Sequence, residues 1–295
     1  MSALATSGIR LQGLSKAFRG NRVLDAVNLE IDPGERVALV GANGAGKTTL
    51  IRCLLGEYTC EGQVTVDGLN PRVNRREVLS KVGFVPQLPP PLKMPVAQLL
   101  DFAAAVCASP RERMSQVSTR LGLDPGPLAR QPFEKLSGGQ KQKLLISVAL
   151  GRDADVLILD EPAANLDPEA RAVFFELLAE RAARSTMLIS SHRLDEVASL
   201  VHRVVELDQG RVVLDDRIAD AASLGSRLTC RLQLSRRNAA VARALGAWGL
   251  READGGRVFE GSVPGPDRLR FLGTVSRYAG LVTSLELHEA ERSDA

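Results

Sequence analysis

Short apolar runs separated by glycine-containing turns dominate the first part of the chain. Residues 9–31 alternate in short apolar stretches broken by two such turns, a pattern typical of hairpin-like β structure. A buried strand is predicted at 36–40, where the run is almost entirely apolar. A glycine-bounded run at 62–68 and a further run at 82–86, ending at Gln87, predict two more strands. The first part of the chain is therefore expected to be β-rich.

The pattern changes after the turn Pro89-Pro90-Pro91. Residues 96–108 and 111–123 have helical period and composition, and 141–150 continues as a helix. We expect this stretch, about 88–150, to form a helical subdomain inserted into an α/β domain.

Strands and helices alternate in the next segment. The run 156–159 is fully apolar, as in strands of parallel sheets that are covered on both faces. The other predicted elements are a helix at 168–184, a strand at 186–190, a helix at 194–200, and strands at 201–207 and 212–214. A first domain is expected over 1–222.

The last part of the chain, 223–295, is predicted to form a small second domain. Strands are predicted at 228–234, 256–263 and 281–287, with helices at 238–248 and 266–278. This β-α-β-α-β order predicts a ferredoxin-like α+β domain, a small sheet covered by helices on one face.

Composition places the chain among ordinary globular proteins. Its 295 residues are 44% apolar and 25% charged, enough for one large domain and a smaller one. The net charge of +3 and the 4% aromatic content favour no nucleic-acid surface, so no nucleic-acid partner is expected. No apolar stretch approaches a bilayer span, and no apolar leader opens the chain. A membrane role would therefore require another subunit.

The four cysteines also argue for an intracellular location. Cys53, Cys60, Cys107 and Cys230 contain no C-x-x-C pair and no neighbouring histidine cluster. We expect reduced, mostly buried thiols in a cytosolic protein, without a metal or redox role.

The segment Gly41-Ala42-Asn43-Gly44-Ala45-Gly46-Lys47-Thr48 fits the P-loop pattern G-x-x-x-x-G-K-[ST]. It follows the predicted strand 36–40 and precedes a helix opening at 49–55, which makes an accidental match in a glycine-rich chain untenable. Glycines allow successive N–H groups to face the phosphates, and the helix N-terminus adds partial positive charge. Lys47 is expected to reach the β- and γ-phosphates and the Thr48 hydroxyl to ligate Mg²⁺. The predicted ATP-binding residues here are Gly41, Asn43, Gly44, Ala45, Gly46, Lys47, Thr48 and Thr49.

Two carboxylates, Asp160 and Glu161, follow the apolar strand 156–159. Ligands bind at the carboxyl edge of an open parallel sheet, so both are expected near the nucleotide. Asp160 is suited to help hold Mg²⁺, and Glu161 to orient and polarise the attacking water as general base. The alternative is an acidic pair that caps the helix beginning at Pro168.

His192 follows the strand 186–190 in the sequence Ser190-Ser191-His192. With three histidines in the chain, one at a strand end beside serines is a candidate γ-phosphate contact. The alternative is a structural or surface histidine.

These motifs, together with Leu136-Ser137-Gly138-Gly139-Gln140 and Asn165-Leu166-Asp167, resemble the ATP-binding cassette (ABC) ATPase subunits. The likeness covers about 9–215, and the order of the motifs matches that family throughout. It implies a P-loop NTPase fold of the ABC type, an α/β core with a mixed sheet, a β-rich N-terminal part and a helical insertion. We call residues 136–140 the signature segment.

The resemblance also implies roles for individual residues. Phe18 would stack on adenine, although many members carry tyrosine there. Gln87 would touch Mg²⁺ and the attacking water and sense the membrane subunit, and Asp167 would link the two sites of a dimer. Ser137, Gly138, Gly139 and Gln140 would contact the ATP held by the opposite copy, Ser137 and Gly139 at its γ-phosphate. Ala163 and Ala164 stand where a threonine or serine commonly follows the proline, but no catalytic role depends on that hydroxyl.

The expected protein is a Mg²⁺-dependent ATPase that pairs with a second copy around two ATP molecules. It would drive a separate integral membrane permease from the cytoplasmic face of the membrane. Its short C-terminal domain resembles the tails of exporter subunits more than the β-rich extension of sugar-importer ATPases, which favours an exporter. A soluble ABC ATPase of translation or DNA repair and a non-catalytic regulator are the alternatives. The single cassette without a heptad insertion argues against the first, and the intact catalytic residues argue against the second.

Overall fold

The computed structural model describes residues 8–182, 184–192, 197, 200–217, 227–264 and 268–289. Their contacts divide the chain into two units. The first unit holds the described residues up to His192 together with Arg203–Asp216. The second holds those from 197 to 202 and from Arg217 onward.

A three-stranded antiparallel sheet begins the first unit. Its strands are β1 (Ile9–Phe18), β2 (Asn21–Ile31) and β4 (Glu61–Val66), in the order β2-β1-β4. The predicted hairpin is thus confirmed for β1 and β2. Ile9, Leu11 and Leu14 of β1 are buried in the core that the P-loop elements share, so this sheet is packed directly against the nucleotide-binding elements.

A six-stranded sheet forms the centre of the first unit, in the order β5-β6-β7-β3-β8-β9. The neighbours from β5 to β8 are parallel. Its strands are β3 (Arg36–Val40), β5 (Val82–Val85), β6 (Val156–Asp160), β7 (Thr186–Ser191), β8 (Arg203–Asp208) and β9 (Arg211–Arg217). Every residue of β6 and β7 is buried, as expected for strands covered on both faces. The predicted strands of this segment are confirmed.

Three helices join the strands of this unit: α1 (Lys47–Leu54), α2 (Arg75–Lys81) and α6 (Pro168–Arg181). The predicted helices α1 and α6 are confirmed, but α2 was not predicted. It buries only Val78, so its seven residues carry too little apolar periodicity to mark a helix in the sequence. The predicted helix at 194–200 lies outside the described residues, apart from Val197 and Leu200.

The insertion contains α3 (Val96–Cys107), α4 (Arg111–Arg120) and α5 (Gly138–Leu150). Phe133, Met114 and Leu100 are fully buried in a separate small core between these helices. The predicted helices are confirmed, but α5 begins at Gly138, three residues before the predicted start. Within the signature segment, Ser137 is therefore the N-cap of α5 and residues 138–140 lie in its first turn.

The second unit contains β10 (Arg227–Leu234), α7 (Ala239–Gly246), β11 (Arg251–Ala253), β12 (Val258–Pro264), α8 (Arg268–Ser276) and β13 (Val282–Glu289). Its antiparallel sheet has the order β11-β12-β10-β13. The predicted order β-α-β-α-β lacked β11. This strand has only three, largely exposed residues and is defined by its pairing with β12, so the sequence carried no signal for it. The resulting order, β-α-β-β-α-β, is that of a split β-α-β unit.

All four cysteines are free thiols, and Cys53 and Cys230 are buried. Burial raises the pKa of Cys53 to about 12, with Cys60 contributing. It raises the pKa of Cys230 to about 11. Such thiols are poor nucleophiles at neutral pH. Among the described residues, no helix has the length and apolar character needed to cross a bilayer.

Candidate active site

The P-loop runs from the end of β3 to the start of α1 and depends on its glycines. Gly41 has a φ of 149° and Gly46 a φ of 111°, values that other residues rarely adopt. A Cβ atom at Gly41 would lie 2.2 Å from the Leu207 carbonyl oxygen of β8. The loop can therefore pack against β8 only with glycine at this position.

The N-terminus of α1 carries no side-chain cap among the described residues, since its N-cap is Gly46. The first N–H groups of a helix have no partner within the helix. Together with the helix dipole, they form a site for anions such as phosphate. The end of α1 is thus prepared for a ligand rather than closed by its own chain.

Lys47 is buried at this end of α1. Its Nζ donates to the carbonyl oxygens of Gly41 at 2.6 Å and Ala42 at 3.3 Å. Glu161 Oε1 lies 3.7 Å from the same nitrogen. A buried ammonium needs such partners, and a phosphate entering the loop would find this charge already oriented.

A cavity of about 430 Å³ lies against the loop, and we call it the P-loop cavity. It is lined by Val23, Ala42, Asn43, Gly44, Gly46, Lys47, Thr48, Thr49, Gln87 and Glu161. Eight of these residues were predicted to bind ATP or to act in hydrolysis, and they come from the P-loop and from the ends of β5 and β6. Val23 and Ala42 were not predicted. Val23 is an ordinary apolar residue of β2, and only the fold brings it here.

Asp160 and Glu161 follow one another at the end of β6 and have different surroundings. Asp160 is buried, and its Oδ1 accepts a hydrogen bond from Ser190 Oγ at 2.6 Å. The same Ser190 Oγ accepts the backbone N–H of Glu161 at 2.9 Å. Ser190 was not predicted as a site residue. It connects both acidic residues because β6 and β7 are paired neighbours.

Glu161 points its carboxylate between two basic side chains. Its Oε2 lies 2.7 Å from Nδ1 of His192, and its Oε1 faces Lys47. Its φ of 46° lies in the left-handed region, which a non-glycine residue rarely adopts. Such backbone conformations cluster at functional sites. His192 reaches this carboxylate but does not line the cavity.

The residues at the cavity fit Mg²⁺. This ion prefers oxygen ligands and commonly takes only one or two from the protein, the rest being water and phosphate. Thr48 and Gln87, whose side chains carry oxygen atoms, both line the cavity, and Asp160 lies beside Glu161 with one oxygen bound to Ser190. No cluster of three or more His, Cys, Asp or Glu residues suited to a metal occurs in the described ranges. This donor set suits an ion that is shared with a nucleotide.

The signature segment is a capping box at the start of α5. Ser137 Oγ accepts the backbone N–H of Gln140 at 3.2 Å, and Gln140 Oε1 accepts the backbone N–H of Ser137 at 2.9 Å. Ser137 and Gly138 are exposed, and no residue of the segment lines the P-loop cavity. The structure therefore does not bring Ser137, Gly138, Gly139 or Gln140 together with the cavity of the same chain.

Asp167 is engaged within its own chain. Its Oδ1 accepts the backbone N–H of Ala170 at 2.8 Å, which caps α6, and its Oδ2 lies 2.8 Å from Lys143 Nζ of α5. The hydrogen bond from Lys143, helped by that from Ala170, lowers the pKa of Asp167. Asp167 does not line the P-loop cavity.

Phe18 at the end of β1 also lies outside the cavity lining. Its side chain is 39% exposed, and its ring stands nearly perpendicular to that of Tyr58, with the centroids 5.2 Å apart. Lys16 Nζ lies 4.8 Å from the Phe18 centroid. An exposed aromatic ring held in this way is available for stacking.

Comparison with known proteins agrees with this geometry. Residues 24–164 match the family described as ABC transporter. The chain is 37% identical over 225 residues to the nickel import ATP-binding protein NikO of Rhodobacter capsulatus, covering 70% of this chain and 88% of that protein. It is 33% identical over 234 residues to the Nod factor export ATP-binding protein I of Paraburkholderia xenovorans, covering 76% and 75%.

A solved structure described as an ATP-binding subunit of an ABC transporter superposes with a TM-score of 0.65 at 26% identity, covering 71% of this chain and 89% of that one. The P-loop, the signature segment and the acidic pair Asp160 and Glu161 all lie within the residues that the family model matches. The chain therefore belongs to the ATP-binding subunits of ABC transporters, and it is an ATPase.

Proposed function

We propose that two copies of this chain close around two ATP molecules, each bound by the P-loop of one copy and the signature segment of the other. The observation that carries this proposal is that the P-loop cavity and the signature segment of one chain lie apart. Lys47 and Glu161 share one cavity, whereas Ser137 and Gly138 are exposed and do not line it. A second copy can bring a signature segment to that cavity.

The P-loop side binds the nucleotide. The uncapped N–H groups of α1 and the ammonium of Lys47 receive the β- and γ-phosphates, while Gly41 and Ala45 shape the loop. Thr48, Gln87 and Asp160 would hold Mg²⁺, which supplies positive charge to the β- and γ-phosphate oxygens. Phe18 stacks on the adenine ring and Thr49 extends the phosphate contacts.

Glu161 acts as the general base. It accepts a proton from a water whose oxygen attacks the γ-phosphorus, while the bond from that phosphorus to the bridging oxygen breaks and ADP leaves with the electron pair. His192 holds the carboxylate from the opposite side, and Gln87 helps to place the water. Lys47 neutralises charge on the phosphates as the bond breaks.

The partner copy contributes Ser137, Gly138, Gly139 and Gln140 to the ATP, with Ser137 and Gly139 at the γ-phosphate. The Ser137 hydroxyl can donate to a phosphate oxygen while it still accepts the Gln140 N–H. Loss of the γ-phosphate removes the group that both copies contact, so the dimer opens after hydrolysis. Asp167 links the two sites across the closed dimer.

In the assembly, residues 1–222 form the ATPase domain, with a helical subdomain at about 88–150, and 223–295 form an accessory domain. The dimer acts at the cytoplasmic face of the membrane, where ATP is available, through a separate permease subunit. We favour an exporter because of the short C-terminal domain. A relative named for import and one named for export cover 70% and 76% of this chain, so likeness to these relatives does not decide the direction.

The dimer proposal is tested by dilution. ATPase activity per molecule should fall as protein concentration drops, in parallel with the dimer fraction measured by light scattering in MgATP. Full activity per molecule in a strictly monomeric sample would contradict the shared site.

Direction is tested with the permease complex in proteoliposomes whose ATPase subunits face outward. With a metabolite extract on both sides, an exporter should enrich its cargo in the lumen after ATP addition, as measured by mass spectrometry. Depletion from the lumen would identify an importer.

A further inference from the structure

Gln142 on α5 makes a hydrogen bond that neither the P-loop nor the signature segment accounts for. Its side chain is 0% exposed, and its Nε2 donates to the carbonyl oxygen of Pro162 at 2.9 Å. Pro162 directly follows Glu161. One side-chain amide of α5 therefore holds the backbone beside Glu161.

The backbone at this point needs support. Glu161 has the left-handed φ of 46°, which is unfavourable for a residue with a Cβ atom. Two side chains secure it, one on each side. Ser190 Oγ accepts the Glu161 N–H at 2.9 Å, and Gln142 donates to the Pro162 carbonyl. A strained conformation persists only where surrounding contacts hold it.

Gln142 is not placed there for packing alone. Its Oε1 is buried and, within the described part of the chain, has no hydrogen-bond partner. A buried amide that is half satisfied is less stable than an apolar side chain of similar shape. The hydrogen bond from Gln142 Nε2 to the Pro162 carbonyl oxygen is therefore what an amide contributes at this position.

The first turns of α5 contact the segment after Glu161 at two further points. A Cβ atom at Gly139 would lie 3.1 Å from the Asn165 carbonyl oxygen, and Lys143 is paired with Asp167. Gln142 lies five residues after Ser137, about 7.5 Å along the helix axis. The turn that is exposed to a partner and the turn that holds Pro162 belong to one continuous helix.

We propose that Gln142 is a positioning residue, which couples the placement of the signature segment to the orientation of Glu161 in the same chain. The inference rests on the proposed function, in which Glu161 is the base and the signature segment contacts the partner's ATP. When α5 is drawn to that ATP, Gln142 moves the Pro162 carbonyl with it and sets the Glu161 carboxylate toward the water. ATP binding itself does not depend on Gln142.

The test compares Gln142→Met, which keeps length and volume but cannot donate, with Gln142→Asn, which keeps the amide but is too short to reach. Both should lower kcat by roughly tenfold, the effect of losing about one hydrogen bond in the transition state. KM for ATP and equilibrium ATP binding should stay unchanged. Wild-type kcat in both variants, or a loss confined to ATP affinity, would overturn the proposal.

Ser118→Ala is the matched control. Ser118 is buried in the helical subdomain and donates to the Leu123 carbonyl oxygen at 2.6 Å, so its loss also removes a buried side-chain hydrogen bond to the backbone. It should lower Tm without changing kcat. An equal fall in kcat for Ser118→Ala would show that Gln142→Met acts only through stability.

A second measurement separates this inference from the proposed function. In a Glu161→Gln background, Gln142→Met should produce no further fall in kcat, because it acts through Glu161. A further tenfold fall in that background would overturn the positioning role alone. Wild-type kcat in Glu161→Gln itself would instead contradict Glu161 as the base.

Discussion

The N-termini of helices α1 and α5 differ in their capping. The N-cap of α1 is Gly46, without a side-chain cap, and its first N–H groups lie beside a cavity that contains Lys47 and Glu161. The N-terminus of α5 is closed by a reciprocal capping box of Ser137 and Gln140. Both helix ends are expected to contact phosphate. Of the two, only the N-terminus of α1 lacks a side-chain cap for its first N–H groups when phosphate is absent.

This difference in capping predicts different contributions of the α1 end and the α5 end to ATP binding and to turnover. The end of α1 gains hydrogen bonds when ATP enters, so it should provide most of the binding free energy in a single chain. The capping box satisfies N–H groups at the N-terminus of α5, so this end is stable in solvent before a second copy binds. Binding should thus depend on the α1 side, whereas turnover should depend on both.

Replacement of Glu161 by glutamine should have the largest effect on the α1 side. The variant should lose about 10²–10⁴-fold in kcat, because an amide cannot accept the proton from water. ATP binding should remain, so a dimer should accumulate in MgATP, as measured by size-exclusion chromatography and phosphate release. Glu169→Gln, at an exposed position in the first turn of α6, is the control and should behave as wild type. Rapid turnover without a trapped dimer would remove Glu161 from the catalytic role.

Replacement of Ser137 by alanine tests the α5 side. It should reduce kcat at least about tenfold by removing a hydroxyl from the γ-phosphate, and lower the free energy of unfolding by about 1 kcal/mol through loss of the cap. ATP affinity of the dilute monomer should not change. Ser137→Thr keeps the hydroxyl and should restore both quantities. Weaker ATP binding by the Ser137→Ala monomer would break the contrast between the two helix ends.

Replacement of Phe18 by alanine distinguishes binding of the adenine ring from binding of the phosphates. ATP affinity should fall by roughly tenfold, since stacking on a base contributes about 1–3 kcal/mol. Affinity for inorganic tripolyphosphate, which contacts only the α1 side, should be unchanged in the same calorimetric titrations. Phe18→Tyr keeps the stacking face and serves as the control. Equal losses for both ligands would mean that Phe18 acts on the fold rather than on adenine.

The smallest effect is expected at Asp167, which joins α5 to the start of α6. Its pKa is lowered by Lys143 and then by the Ala170 N–H, so the carboxylate stabilises the fold. Because the folded pKa lies below the unfolded one, this stabilisation is present above the ordinary carboxyl pKa of about 4 and is lost as pH falls below it. Asp167→Asn should unfold more easily than wild type at pH 7, and in urea titrations the difference should shrink steadily as the pH is lowered below 4. A constant difference across this range would exclude the ion pair as its cause.

The amino-acid sequence specifies the α1 side of the site more clearly than the α5 side. The predicted strand, loop and helix around Gly41 and Lys47 are confirmed. The P-loop pattern lies in consecutive residues, and its glycines allow the positive φ angles that the loop requires. Helical periodicity predicts a start for α5 three residues later than the observed one, although Ser137 and Gln140 have the spacing of a capping box. Val23, Ser190 and Gln142 were missed, since nothing in an isolated valine, serine or glutamine marks its contact with a distant strand or loop.

The sequence by itself determined the family, the P-loop and the identity of the acidic pair, because these depend on neighbouring residues and on the order of short motifs. The tertiary structure decided which contacts these residues make, with Glu161 between Lys47 and His192, since parallel pairing of β3, β6 and β7 brings their carboxyl ends to one edge. It also decided that Gln142 holds the backbone beside Glu161. Contacts between segments far apart in sequence follow from sheet order and helix packing, which no local pattern encodes.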